Sequence, residues 1–419
     1  MSERTSVTWS SLRHRNFALL WLGQSISMTG DGIFAVALAI VALDIDRSPA
    51  GFSYVLAARI VPTVVFLLLG GAVADRMSRR LVMLASDVTR GIVVGCVAVL
   101  LALGRLTIAE LVVMSLLFGV ADAAFSPAST AIVPEIVPEG LLVNANALRS
   151  TSQTVAQSLV GPALGGVVLA VIGSAWAFGI DALTFAASAG FLVAMRPGPK
   201  RPGATVSPLA HIREGLAFAA RNRWFWVTLV AAALANFAAF SPLGLLVPLL
   251  VKVTLHGSAT ALGLVLAAGG LGGVAGSLLL ARLGSPRRQV TAMCAAWGAS
   301  GVAIAGIAWA GSPVVVGAFE FAVLGLLVFG NTLWYPLMQK LVPPGLLGQV
   351  SSIDSMVSLA LSPLGVLAAG VVSGAIGVRA TLLAGAIVAA LMPLSLVVPG
   401  VRDPDRRMGA GDGTLPAVE

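Results

Sequence analysis

The chain has 419 residues, of which 58% are hydrophobic and only 11% charged, with a formal net charge of +8 and a mean hydropathy of +0.96. Soluble domains carry about 25% charged residues, so water cannot be the solvent for most of this surface, and lipid takes its place. The two cysteines, Cys96 and Cys294, fall inside long apolar runs, which excludes a disulfide framework and suggests no metal site.

Met1–Arg15 is polar and basic, and an apolar run follows to Leu43 around isolated polar residues. That run is too long for a signal-peptide core and ends without a small-residue cleavage site, so it is predicted to stay as an anchor. A helix needs about 20 apolar residues to cross the bilayer. Apolar runs between Gly, Pro and charge breaks predict twelve spans: 16–43, 51–74, 81–104, 107–132, 142–172, 174–196, 223–252, 258–283, 288–310, 313–339, 350–376 and 379–400. The organisation expected is a tail over 1–15, six-helix bundles over 16–196 and 223–400, a linker over 197–222 and a disordered tail over 401–419. Within the linker, Ser207-Pro208 reads as a helix start, and Leu209, Ile212, Leu216 and Ala219 follow at helical spacing. The expectation is a short amphipathic helix on the inner membrane surface.

Positive charge supplies the orientation. With the N-terminus in the cytosol, 20 of the 26 basic residues, Arg149 among them, fall in cytosolic segments. Four fall in outer loops (Arg47, Arg105, Lys252, Arg379) and two, Arg59 and Arg90, inside spans. Such a bias places both termini in the cytosol, which requires an even number of spans. The basic net charge is thus topological, and nucleic acid is not an expected partner.

The halves echo each other. Pro127 to Pro134 matches Pro336 to Pro343 in spacing, with Gly-Leu-Leu soon after each, at Gly140 and Gly345. Gly70 precedes Arg76 by six residues, as Gly276 precedes Arg282. Parallel repeats of this kind are related by an axis along the membrane normal.

Two motifs carry a family resemblance. Gly71-Ala-Val-Ala-Asp75-Arg76-Met-Ser-Arg79-Arg80 resembles the signature loop of the major facilitator superfamily, with Val73 in place of a leucine and Ser78 in place of a glycine. Gly161-Pro162-Ala-Leu-Gly165-Gly166 is similar to the Gly-Pro-x-x-Gly-Gly motif of its antiporters, although Gln157 stands where an earlier glycine is usual. Arg15 to Ser25 with Gly30-Asp31, Phe125 to Ala128, Asn144 to Leu148 and Asp181 to Phe185 look like the branch of drug:proton antiporters containing macrolide-efflux proteins and the siderophore exporter of enteric bacteria. The resemblance implies an all-α major facilitator fold, twelve helices in two six-helix bundles with pseudo-two-fold symmetry. It implies proton-coupled efflux of amphiphilic small molecules by alternating access, and a loop around Asp75, Arg76, Arg79 and Arg80 that controls conformational exchange. An importer or lipid flippase of the same fold is the alternative, and a non-transporting receptor or scaffold is the alternative of another class. The expected partners are the substrate, protons and the bilayer, with no cofactor and a monomeric chain. Arginine outnumbers lysine 23 to 3, which points to a GC-rich bacterial genome and so to the plasma membrane.

Charges inside spans are costly in lipid and are usually paired or functional. At a rise of 1.5 Å per residue, Asp31 and Arg59 lie roughly 22 and 24 Å from the inner ends of adjacent helices and can pair. Arg90 and Asp122 lie roughly 15 and 16 Å from theirs, with Asp87 one turn below Arg90. Asp181 and Glu320 lie about two turns from the outer face, where water is expected to reach them, and Asp354 reads as structural near the inner surface. Asp31, Arg59, Arg90, Asp122 and Glu320 are the proton-coupling candidates. Gln24, Asn236, Phe237, Asn331 and Trp334 are candidates for the substrate cavity. The histidines, His14, His211 and His256, all lie in the tail or loops, so a carboxylate must carry any proton.

Enzyme readings fail on residue type. None of the three lysines precedes Ser or Thr, so there is no P-loop. Gly298-Ala-Ser300-Gly301 resembles an intramembrane serine-protease motif, but no histidine within a span can serve as its base, so packing is expected there.

Overall fold

The computed structural model describes residues 9–69, 78–196, 217–343 and 346–402. Without water in the bilayer core, backbone groups must be satisfied within each segment, and helices do this. Among the described residues, twelve helices are long and apolar enough to cross: α1 Arg15–Ile45, α2 Pro49–Phe66, α3 Arg79–Ala102, α4 Ile108–Ala131, α5 Glu139–Ile172, α6 Ser174–Ala194, α7 Arg223–Thr254, α8 Ala259–Leu283, α9 Gln289–Trp309, α10 Pro313–Leu341, α11 Leu347–Ile376 and α12 Val378–Val397. Gly70, Arg76, Gly345, the linker from 197 to 216, with its expected helix start, and the tail from 403 lie outside the described residues. Residues 217–221 are helical, and Phe218 and Ala219 pack with Trp224 and Phe225 rather than facing away from the protein.

Local chemistry fixes the helix ends. The hydroxyls of Ser78, Thr107, Ser258 and Ser312 each accept from a backbone N–H in the first turn of the helix that follows. Thr107 and Glu110 form a full capping box at the start of α4. Ser78, which interrupts the glycine pattern of the signature loop, thus has a capping role. At the other face, α5 turns into α6 through Gly173 at φ 90°, and α11 into α12 through Gly377 at φ 88°. Only glycine takes that conformation without strain, and its recurrence marks the internal repeat.

Packing repeats as well. α1 packs on α5 and α6, α3 on α6, and α2 on α4; six helices later α7 packs on α11 and α12, α9 on α12, and α8 on α10. Gly298 and Gly301 lie against Pro393 and the α12 backbone around Ala390, so that sequence is a packing motif. The two halves meet where α5 lies on α8 and α2 on α11. The Thr260 hydroxyl donates to the Gly166 carbonyl at 3.2 Å, Gly370 receives the Ser53 side chain, and Lys252 pairs with Asp44 at 3.2 Å. All these contacts lie toward the face opposite the chain termini, so the molecule is closed at that face.

Because Asp44 and Lys252 join the halves, they report the closure. With Cys96 and Cys294 replaced by serine, Asp44→Cys with Lys252→Cys should be joined by a short bifunctional thiol reagent, seen as a cross-linked peptide by mass spectrometry. Cross-linking should stop transport and reduction should restore it.

Candidate functional site

Asp31 sits between two glycines of α1, and each glycine admits a neighbouring helix. A side chain on Gly30 would run into Asp181 and Thr184 of α6, and one on Gly32 would come within 2.7 Å of the Gln157 carbonyl and of Gly161 in α5. The Asp31 carboxyl is therefore enclosed, 8% exposed, with Oδ1 lacking a hydrogen-bond partner. Asp181 is fully buried: the Thr184 hydroxyl lies 3.2 Å from its Oδ1, and its Oδ2 has no partner. Two buried carboxyl groups on adjacent helices thus each keep an unsatisfied oxygen.

Arg59 does not form an ion pair with Asp31. Its guanidinium lies over the rings of Phe34 and Phe118, 5.0 and 4.7 Å from their centroids, and these rings stack on each other at 5.1 Å. Matched height does not ensure matched direction around the helix axis, and the ring faces offer the cation an attractive contact. The expectation that water reaches Asp181 and Glu320 is also corrected, since their neighbours enclose both. Glu320 is 5% exposed, packs on Gly269 of α8 and leaves Oε2 without a partner.

Arg90, Asp87 and Asp122 do come together. Arg90 lies 2.5 Å from Asp87 and 3.1 Å from Asp122, and the Ser188 hydroxyl donates to Asp87 at 2.7 Å. Phe125 and Phe185 hold the guanidinium from 4.2 and 4.6 Å. Sequence reasoning missed these rings. The signal was present: Phe118 and Phe125 lie seven residues apart on α4, as do Phe178 and Phe185 on α6, so each pair shares a helix face.

Gln24, a cavity candidate, is 4% exposed, and its side-chain oxygen accepts from Arg149 at 3.1 Å. Arg149 lies within α5, as the predicted span 142–172 has it, and reaches α1; an arginine inside a span needs such a partner. In the second half, Asn236, Trp297, Asn331, Trp334, Tyr335 and Asp354 line a cavity of about 280 Å³ among α7, α9, α10, α11 and α12. Phe237 does not line it; the Phe237 carbonyl instead faces Gly365 of α11.

Gly71, Asp75 and Arg76 of the signature loop lie outside the described residues. Arg79 donates to the Ala131 carbonyl at 2.5 Å and pairs with Glu135 at 3.0 Å. Arg80 donates to the carbonyls of Leu192 and Val193 at 2.6 and 2.7 Å. Both arginines satisfy orphan carbonyls at helix C-termini, where positive charge is favoured.

The Gly-Pro motif sits on the seam between halves. Thr154–Val160 form a π turn just before Gly161, and Pro162 has no N–H for the Ser158 carbonyl four residues back. That carbonyl faces Gly270 of α8 so closely that no side chain fits. Gly165 packs on Ile33 of α1, while Gly166 packs on Thr260 and Gly263 of α8. In α7 the π turn Asn236–Phe240 likewise precedes Pro242. The Gly-Pro motif is legible in the sequence, but π turns leave no separate sequence signature.

The profile of the transmembrane secretion effector family matches residues 6–407. The chain belongs to that family of major facilitator transporters. It is 28% identical over 394 residues to the multidrug efflux pump Tap of Mycolicibacterium fortuitum, covering 90% of this chain and 94% of the relative. It is 24% identical over 374 residues to macrolide efflux protein A of Streptococcus pyogenes, covering 87% and 90%. The fold matches the crystal structure of a bacterial homologue of the human lysosomal transporter Spinster, inward-facing and unoccupied, with TM-score 0.70 and 16% identity over 92% of this chain and 97% of that one. In this transporter the Gly-Pro motif lies at one of the two contacts between the halves, where α5 meets α8.

Gly270→Leu should therefore part α8 from α5 and reduce transport about tenfold or more, while leaving expression and monodispersity intact. Gly179→Leu, at a position with nothing within 4 Å of the added carbon, should transport normally. Flux in reconstituted vesicles compares the two.

Proposed function

We propose that the protein exports amphiphilic small molecules across a bacterial plasma membrane in exchange for protons, with both termini in the cytosol. The kinship with multidrug and macrolide efflux proteins supports export. The clustering of basic residues on one side supports the orientation. Proton coupling rests on one observation: Asp31 and Asp181 are buried on adjacent helices, each with an unpartnered oxygen.

An unpartnered carboxylate in a dry site is costly, and a proton removes the cost. Two carboxyl groups in one site cannot both ionise cheaply. Opening α1 and α6 to water on the outer side lets Asp31 take a proton. Closing that side favours the neutral form, and opening to the cytosol releases the proton there. Substrate leaves in the opposite sense. A membrane potential of about 100 mV contributes about 2.3 kcal/mol per charge moved, roughly a fifty-fold gradient. Arg59 sets the local field from its place over Phe34 and Phe118, and the Asp87, Arg90 and Asp122 cluster braces α3 against α4. Substrate is proposed to meet the cavity walls at Asn236, Asn331 and Trp334. The loop around Asp75, Arg76, Arg79 and Arg80 is proposed to govern the rate of exchange between states.

Asp31→Asn mimics the protonated acid, so it should bind substrate and carry out downhill exchange but lose accumulation driven by a pH gradient. Flux in proteoliposomes with and without an imposed gradient decides this. Wild-type accumulation by the variant would remove Asp31 from the proton path.

Single cysteines introduced in the 44–50 loop, on a background lacking Cys96 and Cys294, should react with an impermeant thiol reagent added to intact cells. Cysteines in the 76–80 loop should stay protected. The reverse pattern would invert the topology and, with it, the direction assigned to transport.

A further inference from the structure

The cavity in the second half contains an acid that the proton path does not use. Asp354 lies on α11, 7% exposed, and no lysine or arginine among the described residues pairs with it or lines the cavity. Membrane-buried acids are usually paired. By position, seven residues into α11, it reads as structural, yet its carboxyl faces space rather than a counter-ion.

The walls around it are aromatic and fixed. Trp334 and Asp354 both line the cavity, and Trp334 is stacked on Phe225 at 5.9 Å. The Trp297 indole donates to Asn331 at 3.1 Å and lies against Gly330, where a side chain would displace it. The Asn236 amide donates to the Ser358 carbonyl at 2.9 Å, which leaves its own carbonyl oxygen as a free acceptor. Tyr335, 57% exposed, stands where the cavity opens. The Trp297 indole and one N–H of Asn236 are thus engaged in the wall, and the cavity offers a ligand one carboxylate, acceptor oxygens, the Asn331 amide, the hydroxyls of Ser355, Ser358 and Tyr335, and the faces of two indoles and a phenol.

We propose that this cavity is the recognition site for organic monocations, compact amine or quaternary ammonium groups attached to an apolar or aromatic body. The missing counter-ion of Asp354 is the ligand itself. A carboxylate attracts the charge, ring faces attract weakly hydrated cations, and the volume of about 280 Å³ suits a small ring with its ammonium group. A metal cation would need several oxygen ligands, and Asp354 is the only carboxylate in the lining. The inference rests on the export reading and gives its substrate a charge.

The test uses the full-length protein in a neutral maltoside detergent. Labelled phenyltrimethylammonium should bind saturably, and tert-butylbenzene, its uncharged carbon isostere, should not compete. Asp354→Asn, which keeps the size of the side chain and removes its charge, should weaken binding by about tenfold or more, while Asp354→Glu should retain most of it. Trp297→Leu should also weaken it. Absence of saturable binding by the wild type, equal competition by tert-butylbenzene, or unchanged affinity in Asp354→Asn would each overturn the proposal. The isostere comparison needs no variant, so it stands even if a variant fails to fold. The two readings fail separately. If wild-type cells extrude uncharged amphiphiles while the cation does not bind, export stands and the cation site falls. If the cation binds as described while no compound moves in cells or proteoliposomes, the site stands and export falls.

Discussion

In lipid, apolar helices gain little by touching each other rather than the acyl chains, so close backbone approach must hold them together. That constraint organises this molecule. Gly32 and Gly161 bring α1 onto α5, Gly166 and Gly263 bring α5 onto α8, and Gly272 and Gly325 bring α8 onto α10. At several of these crossings the neighbour is a carbonyl: Gln157 at Gly32, Ser158 at Gly270, Phe321 at Gly272. A glycine there does more than save space. It allows a carbonyl dipole, in one case left without its helical partner by Pro162, to lie against another helix instead of lipid. A seam of this kind has no interlocking side chains to withdraw, which suits an interface that must part and close in each cycle.

The same constraint explains what could be read from the chain. Twelve spans were legible because length and apolarity are one-dimensional properties, and helices in a bilayer must display them. Height in the membrane was legible too, and for Arg90 with Asp87 and Asp122 it was enough, since α3 and α4 pack directly. For Asp31 it failed. Its height matches Arg59, but Gly30 and Gly32 turn that part of α1 toward α6 and α5. Asp181, on the helix that Gly30 meets, lies 150 residues along the chain. Direction around the axis depends on which helices surround a span, and chain order does not give that order in space. The π turns before Pro162 and Pro242 shift this direction again within a single helix. Water access was misjudged for Asp181 and Glu320 on the same ground, because nearness to the outer end says nothing about enclosure by neighbours.

The cavity of the second half was half legible. Asn236, Asn331 and Trp334 are polar or amphipathic residues in the inner half of apolar helices, and such residues face protein or cavity rather than lipid. Asp354 lies at a similar height, but its nearness to the chain-terminal face made a surface role the simpler reading. Only the enclosure by Trp297, Trp334 and Tyr335 gives it another. Gln24 illustrates the converse. It satisfies the same sequence criterion, yet its side-chain oxygen accepts a hydrogen bond from Arg149 within the first half.

The two halves have therefore taken on different chemistry within one repeated architecture. The first half holds the buried acids Asp31 and Asp181 and the guanidinium groups of Arg59 and Arg90; the second holds the buried acid Glu320, with no arginine beside it among the described residues, and an aromatic cavity whose described lining has one carboxylate. A continuous run of backbone contacts joins them. Gly32 beside Asp31 touches Gly161 of α5; the next turn of α5 touches α8 at Gly263 and Gly270; α8 touches α10 at Phe321 and Gly325; and α10 carries Asn331 and Trp334 into the cavity. Contact alone does not establish coupling, which requires an element with two arrangements that both sites bias. Under the proposed alternating access, the α5–α8 seam is the element that has two arrangements, since it is closed in this state. On the proposed proton path and cation site, Asp31 lies at one end of the run and Asp354 at the other. A seam biased by both would make the free energy of one event available to the other without any shared ligand atom.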